Sequence, residues 1–387
     1  MKPVLVINSG SSSLKFGLFL EHSGDEQPTL SGRAEGIGKK VGRLAITDTN
    51  GATLYEEDRN FPSQSDALAC IASQLEKRNQ PAPVAIGHRM VHGGPHLVEH
   101  RRITPDVLKT LEQSIHFAPL HIPQALELVR HTETLYPALP QFACFDTAFH
   151  QTLPESASRF PISEKFFLEG VRRYGFHGLS YESIVHRLGE QLPQRTVVAH
   201  LGSGSSLVAL KNGRSVDTSM GLTPTGGIPM GTRTGDLDPG LLFFLMRSEK
   251  LNADALEALL NHEAGLTALG GTNDMRELEF AAARADHNAQ VAIEIFCRSI
   301  AKTVAAYATV LGGLDLLVFT GGIGEHSQKV RAQVCAMLGI LGIEIDATRN
   351  ATCGPVIAAP GSKCSVRVMP SEEEIQIARH VRQFLRR

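Results

Sequence analysis

Short apolar runs of strand length alternate along this chain with stretches of helical spacing, and Gly/Ser-rich turns separate many of them. Val4–Ile7 is an unbroken apolar run that reads as a buried strand. It leads into Asn8-Ser9-Gly10-Ser11-Ser12-Ser13, and Leu14–Leu20 reads as a second strand. From Glu21 to Asn60, polar Gly-rich segments alternate with short apolar stretches, as at a sheet edge. Ser65–Arg78 sets Leu68, Ile71, Ala72 and Leu75 on one helical face. Thr104-Pro105 is a cap followed by Pro at the first helical position, opening a helix to about Ile115. A second helix runs from near Pro123 to near Leu135, and Phe142–Phe145 is a strand ending at Asp146. Ser180 is expected to cap a helix that stops near Gly189. Val197–Leu201 is again a buried strand that enters a Gly/Ser turn. Residues 239–260 predict two short helices, and Ala281–Leu311 predicts one long helix ended by Gly312-Gly313. Leu316–Phe319 is a strand followed by Thr320-Gly321-Gly322-Ile323-Gly324-Glu325. Val366–Met369 is the last strand, and Glu373–Leu385 a terminal helix.

Alternating strands and helices predict an α/β protein. The tetrapeptide Ser-Gly-Ser-Ser stands at Ser9–Ser12 and again at Ser203–Ser206, each time after an apolar strand and half the chain apart. That placement points to duplication. The division it predicts is residues 1–150, joined by the terminal helix 372–387, and residues 151–371. The change of half falls near Phe149–Phe160, where polar and Pro residues interrupt the pattern.

Composition narrows the class. With 387 residues and 42% apolar content the chain can bury a sizeable core, and its net charge of −2 gives no reason to expect nucleic acid as a partner. No apolar run approaches the ~18 residues of a membrane span. The longest, Leu241–Met246, has the length of a core-helix segment. The N-terminus enters a strand directly, without a signal-peptide pattern. The six cysteines show no C-x-x-C spacing, which argues against zinc and thiol-redox sites. Together these features predict a cytoplasmic protein.

Gly/Ser turns after strands expose backbone N–H groups and hydroxyls that suit phosphate oxygens. The same residues also suit an ordinary β-hairpin. Two matching turns and a third Gly-rich loop at Gly321–Gly324 favour convergence on one nucleotide. The chain lacks the P-loop pattern, and Gly322-Ile323-Gly324 is too short for a dinucleotide fingerprint. Arg89 and Arg233 sit in Gly-framed segments, where a guanidinium can approach an anion closely and pair bidentately. Among the histidines, His177 lies in Tyr174-Gly175-Phe176-His177-Gly178, while His121 and His200 are weaker candidates. Asp146 ends a strand, where α/β proteins place active-site groups. Glu372-Glu373-Glu374 opens the last helix, where the dipole alone favours acids, and Asp274 suits a helix cap.

The runs N-S-G-S-S-S-L-K-F, G-H-R-M-V-H-G-G, A-P-L-H, F-D-T-A-F-H, R-R-Y-G-F-H-G, H-L-G-S-G-S-S, D-T-S-M-G-L-T-P, G-T-R-T-G-D-L-D-P and G-G-I-G-E resemble the acetate kinase family over nearly the whole chain. The resemblance implies two duplicated ribonuclease-H-like domains of the acetate kinase, sugar kinase, Hsp70 and actin superfamily, with a nucleotide cleft between them. It implies a homodimer and reversible transfer from ATP to acetate, giving ADP and acetyl phosphate, with Mg2+ or Mn2+. Matched by motif, Asn8 and Glu373 would serve the metal, with Glu372 or Glu374 as shifted alternatives. Arg89 would hold the substrate carboxylate, and Val91, Leu120, Phe176 and Pro224 its methyl group. Asp146, His177, Arg233 and His121 would complete the catalytic set. Lys15, His200, Leu201, Gly202, Ser203, Gly204, Asp274, Met275, Arg276, Gly322, Ile323, Gly324, Glu325 and His326 would bind nucleotide.

A carboxylate acceptor is already ionised near neutral pH, so Asp146 is expected to orient its neighbours rather than to take a proton. Ser203 and His326 stand where the family carries Asn, and Thr225–Pro229 departs from the usual segment; these changes bear on nucleotide affinity and base preference. The alternatives are a propionate or butyrate kinase and, from another class, an actin- or Hsp70-like ATP-binding switch. The set Arg89, Asp146, His177 and Arg233 speaks against the switch, which needs no carboxylate pocket.

Overall fold

The computed structural model describes residues 2–10, 12–20 and 27–386. Ser11 of the first tetrapeptide and residues 21–26 of the edge segment therefore lie outside the described residues. The chain forms two compact units, one of Met1–Ala148, Gly178–Ser183 and Glu372–Arg387, the other of Phe149–His177 and Ile184–Ser371. Gly178–Ser183 thus groups with the first unit, although a linear division assigns it to the second half.

Unit one is built on eight strands: β1 (Val4–Ser9), β2 (Ser13–Phe19), β3 (Leu30–Glu35), β4 (Gly42–Asp48), β5 (Thr53–Arg59), β6 (Ala85–Met90), β7 (Arg101–Arg102) and β8 (Gln141–Phe145). Their order is β5-β4-β3-β2-β1-β6-β8-β7. The polar strands β3–β5 do form one edge. β1 is buried on both faces, and its alternate residues enter different cores. Leu5 and Ile7 pack with Leu68, Ile71 and Leu75 of the helix Gln64–Lys77 and with Leu128 of the helix Ile122–Leu135. Val4 and Val6 pack with Ile375, Ile377 and Val381 of the helix Glu373–Arg386. Local signals set the helix ends. Ser63 and Asp66 make a reciprocal capping box, and Thr104 caps the helix Pro105–Gln113 as expected.

Unit two has β9 (Arg195–Leu201), β10 (Ser205–Lys211), β11 (Arg214–Thr218), β12 (Leu316–Thr320) and β13 (Ser365–Val368), in the order β11-β10-β9-β12-β13. This repeats β3-β2-β1-β6-β8 strand for strand. The first three strands of each series are antiparallel neighbours, and the last three are parallel. The described residues of the first Ser-Gly-Ser-Ser lie at the β1–β2 hairpin, and the second lies at the β9–β10 hairpin. The two sheets show the duplication that the repeat pointed to, in the ribonuclease-H-like arrangement that the resemblance implied. Phe296, Ile300 and Val304 of the helix His287–Leu311 fill the core against Val197, Ala199 and Leu207.

Four expectations change. The segment Ala281–Leu311 is two helices, Met275–Ala283 and His287–Leu311. Ala285 has φ +64°, which ends the first, and the Asp286 carboxylate accepts the Ala289 N–H to start the second. Ser180 is not a cap; the helix Gly178–Leu188 begins earlier, behind His177 at φ +58°. Gly321–Gly324 is not a loop but lies in a short helix, Gly321–His326, directly after β12. The run Leu241–Met246 is not core. It lies in the helix Pro239–Ser248, which has no buried residue and leaves Phe243 57% and Phe244 59% exposed. Six consecutive apolar residues surround a helix, so one packed face cannot cover them all.

The seating of Glu373–Arg386 depends on Gly87. A Cβ there would lie 2.6 Å from Ile377 Cγ2 and 2.8 Å from Val381 Cγ2. Gly87→Ala is expected to lower unfolding stability by ~1–3 kcal/mol, as overpacking does, read from the midpoint of urea unfolding. An unchanged midpoint would show that the helix shifts freely.

Candidate active site

In unit one the parallel strands bring three polar side chains to their carboxyl ends, where such sheets bind ligands. Asn8 lies near the end of β1, Arg89 near the end of β6, and Asp146 just after β8. Period-two alternation puts Arg89 on the same face as Gly87 and turns His88 the other way, where it is buried against Gln141 Oε1 at 2.7 Å. Burial lowers the His88 pKa to about 4, so that ring is neutral.

Arg89 Nε donates to Asp146 Oδ1 and Oδ2 at 3.0 and 3.1 Å, and Nη2 donates to Oδ2 at 2.6 Å. Asp146 is 1% exposed. Arg89 Nη1 reaches Asn8 Oδ1 at 3.3 Å, and Glu373 Oε2 lies 3.8 Å from Nε. Burial works against the Arg89 charge, but Asp146, Glu373 and Glu374 outweigh it and hold the guanidinium protonated. Asn8 Nδ2 donates to Glu373 Oε2 at 3.0 Å and Glu374 Oε1 at 2.7 Å.

Three carboxylates thus surround Arg89, with Lys15 Nζ 4.0 Å from Glu374. Their oxygens, with the Asn8 amide oxygen, are hard donors of the kind Mg2+ takes, one or two carboxylates at a time. The residues present fit such an ion. Glu373 and Glu374 both face Asn8, whereas Glu372 precedes the helix and gives its N–H to Ser183 Oγ at 3.3 Å. Val91 follows β6. Leu120 is part-exposed, and His121 is the residue before the helix Ile122–Leu135.

Unit two assembles the other candidates around the second tetrapeptide. His177 Nδ1 is 2.8 Å from Ser206 Oγ, and its ring stacks on His200 at 4.3 Å between centroids. A Cβ on Gly204 would meet His177 Nε2 at 3.3 Å and Arg233 Nη1 at 3.6 Å. The absence of that Cβ opens a small space faced by an imidazole nitrogen and a guanidinium, beside the turn. Arg233 Nη1 also donates to Pro224 O at 3.2 Å, which fixes its direction. Phe176 is buried, and its carbonyl accepts from His150 Nε2 at 3.0 Å.

The nucleotide candidates border the same turn. Gly231 N donates to Ser203 O at 3.1 Å, and a Cβ on Gly231 would meet Asn273 Cβ at 3.2 Å. Thr320 pairs with His200 in register, so the helix Gly321–His326 starts beside β9. Of the three Gly-rich segments, then, Ser203–Ser206 and Gly321–Gly324 follow neighbouring strands of one sheet, β9 and β12, while Ser9–Ser12 belongs to the other unit. Leu201 and Met275 have their side chains in the core. Asp274 caps Met275–Ala283 and pairs with Arg276, whose side chain is 90% exposed. Hydrogen bonding from Arg276 lowers the Asp274 pKa despite partial burial.

Sequence reasoning overlooked Ser206 as a partner of His177. It also overlooked Arg331, a fully buried guanidinium that donates to the carbonyls of Gly324, Glu325 and Asn350 and to Asn350 Oδ1, at 2.8–2.9 Å. Arg331 shares a helix face with Val334 and Cys335, and a charge at apolar spacing was the available signal.

Among the described residues, His100, Glu182 and His380 of unit one form the one set of three His/Cys/Asp/Glu side chains whose ligand atoms all lie within 4.8 Å of one another. His100 Nδ1, however, accepts the Phe145 N–H at 3.0 Å. The ring proton therefore sits on Nε2, 3.6 Å from Glu182, where a metal would need a lone pair. His380 Nε2 lies 2.8 Å from Glu182. Although burial opposes it, hydrogen bonding from both rings brings the Glu182 pKa down to about 2. This is a hydrogen-bonded anchor for the segment after His177.

Comparison with known proteins agrees with the sequence resemblance. A family model described as the Acetokinase family matches residues 3–379. An acetate kinase of Nitrobacter hamburgensis is 40% identical over 394 residues, covering 100% of this chain and 96% of that protein. Among solved structures, Porphyromonas gingivalis acetate kinase superposes with TM-score 0.87 at 38% identity, covering 100% of both chains. A propionate kinase from Francisella tularensis superposes with TM-score 0.90 at 36% identity, covering 98% of both.

The space at Gly204 is directly testable. Gly204→Ala is expected to weaken ATP binding roughly tenfold, within the ~1–3 kcal/mol of an inserted methyl group, with thermal unfolding nearly unchanged. Calorimetric titration that finds wild-type affinity would remove this turn from the nucleotide site.

Proposed function

The chain belongs to the acetokinase family, and on that premise we infer that it transfers a phosphoryl group from ATP to acetate, giving acetyl phosphate and ADP. It is a phosphotransferase with a carboxyl group as acceptor. The observation that carries the reading is the part-buried Arg89 held by the Asp146 carboxylate in unit one; unit two, taken by itself, supplies the Gly204 space faced by His177 and Arg233.

Each unit supplies part of what the transfer needs. An acetate oxygen attacks the γ-phosphorus; that O–P bond forms as the β–γ bridging bond breaks, and ADP leaves with the electron pair. The charges balance without a proton, so no general base is required. Arg89 receives the acetate carboxylate, and Asp146, accepting from its Nε and Nη2, fixes its direction. Val91, Leu120, Phe176 and Pro224 are the apolar groups assigned to the methyl, and His121 is assigned beside them. His177 Nε2 and Arg233 donate to the equatorial oxygens, where charge is spread in phosphoryl transfer.

His200–Gly204, Asp274–Arg276 and Gly322–His326, with Lys15, are assigned to the nucleotide. Mg2+, for which Mn2+ can substitute, would be held by Glu373, with Asn8 organising Glu373 and Glu374. When bound it would neutralise phosphate charge.

We also propose a homodimer, on the exposed Phe243 and Phe244; light scattering should give the mass of two 41.8 kDa chains rather than one. A cytoplasmic location is supported by six free cysteines and by the lack of a helix long and apolar enough to cross a membrane among the described residues. Cell fractionation tests it.

Similarity to a propionate kinase keeps a second substrate in view. One methylene is worth only ~1–3 kcal/mol of discrimination. Given Mg2+-ATP, hydroxylamine and a short acid, the protein should form the hydroxamate, with kcat/KM higher for acetate than for propionate or butyrate. The reverse order would reassign the substrate, and no hydroxamate from any of the three would refute the kinase reading.

A further inference from the structure

His177 is held in an unusual way. Its backbone is left-handed, at φ +58°, ψ +24°, and it occupies the cap position of the helix Gly178–Leu188 without making a side-chain cap. Its ring is therefore directed by other contacts. One face stacks on His200, at 19° between planes. Nδ1 meets Ser206 Oγ at 2.8 Å, and Nε2 faces the space at Gly204. Ser206 is fully buried on β10, in register with His200 on β9, so these two groups on the ring come from one rigid ladder.

A neutral imidazole has a single N–H, and the partner of one nitrogen decides which carries it. If Nδ1 kept the proton, Nε2 would turn a lone pair toward Gly204 and repel phosphate oxygens. We propose that Ser206 is a positioning residue that donates its hydroxyl proton to His177 Nδ1 and so locks the Nε2–H tautomer aimed at the Gly204 turn. The final serine of the second tetrapeptide thus acts through His177. The serine at that place in the first tetrapeptide, Ser12, has no such assignment. The inference rests on His177 donating to the phosphoryl group.

The wild-type protein, labelled with 15N-histidine, gives the first test. With the His177 signals assigned by their loss in His177→Gln, the ring should read as Nε2-protonated with Nδ1 an acceptor at pH 8. An Nδ1-protonated ring would overturn the proposal, whether or not any variant folds. Kinetics give the second. Ser206→Ala should lower kcat about tenfold or more, below the ~10²–10³ for removing a donor outright, with KM for ATP and acetate within about twofold. Ser206→Thr, which restores the hydroxyl, should recover most of the rate. Unchanged kcat and tautomer in Ser206→Ala would refute the positioning role alone. A His177→Ala enzyme that keeps nearly full kcat would instead refute the reading on which it rests.

Discussion

The Arg89–Asp146 pair is the interaction on which the organisation of unit one turns. A guanidinium with this little exposure has its desolvation offset by a carboxylate that accepts from Nε and Nη2 together. That grip requires the ends of β6 and β8 to lie side by side, which their parallel register provides. Asn8 extends the network to Glu373 and Glu374. Those acids stand at the first turn of a helix that can approach the sheet closely because position 87 has no side chain. Sheet, helix and charge are thus one construction, with Asp146 bound to Arg89 within it.

Unit two reaches a related end by different means. Instead of a bidentate ion pair it uses close approach, with the backbone of one turn bare at Gly204 and two donors directed there. Pro224 O holds Arg233, while Ser206 and His200 hold the imidazole. Donors fixed in advance need no reorganisation when charge develops, and that is how preorganised sites gain their effect.

Much of this was legible in the sequence, for identifiable reasons. The strands before each tetrapeptide are unbroken apolar runs, so β1 and β9 announce themselves. The repeat fell at equivalent hairpins because the two sheets share one strand order. Thr104 and Asp274 cap helices through local contacts that sequence spacing encodes. What stayed hidden depends on tertiary contact. Nothing near Ser206 indicates an imidazole from residue 177. The break at Ala285 needs a left-handed residue that composition does not mark. The exposure of Phe243 contradicts its chemistry until something covers it, and Arg331 acquires its role only from the carbonyls around it. Gly178–Ser183 groups with unit one through Leu179 in its core and the Glu182 cluster, neither of which linear spacing displays.

The central claim is that Arg89 and Asp146 work as one device. A double-mutant cycle on kcat/KM for acetate tests it, using Arg89→Ala, Asp146→Ala and the double variant. Each single change should cost ~10²–10³, and the double should lie within about tenfold of the worse single. Losses that multiply, as those of independent sites do, would contradict the account.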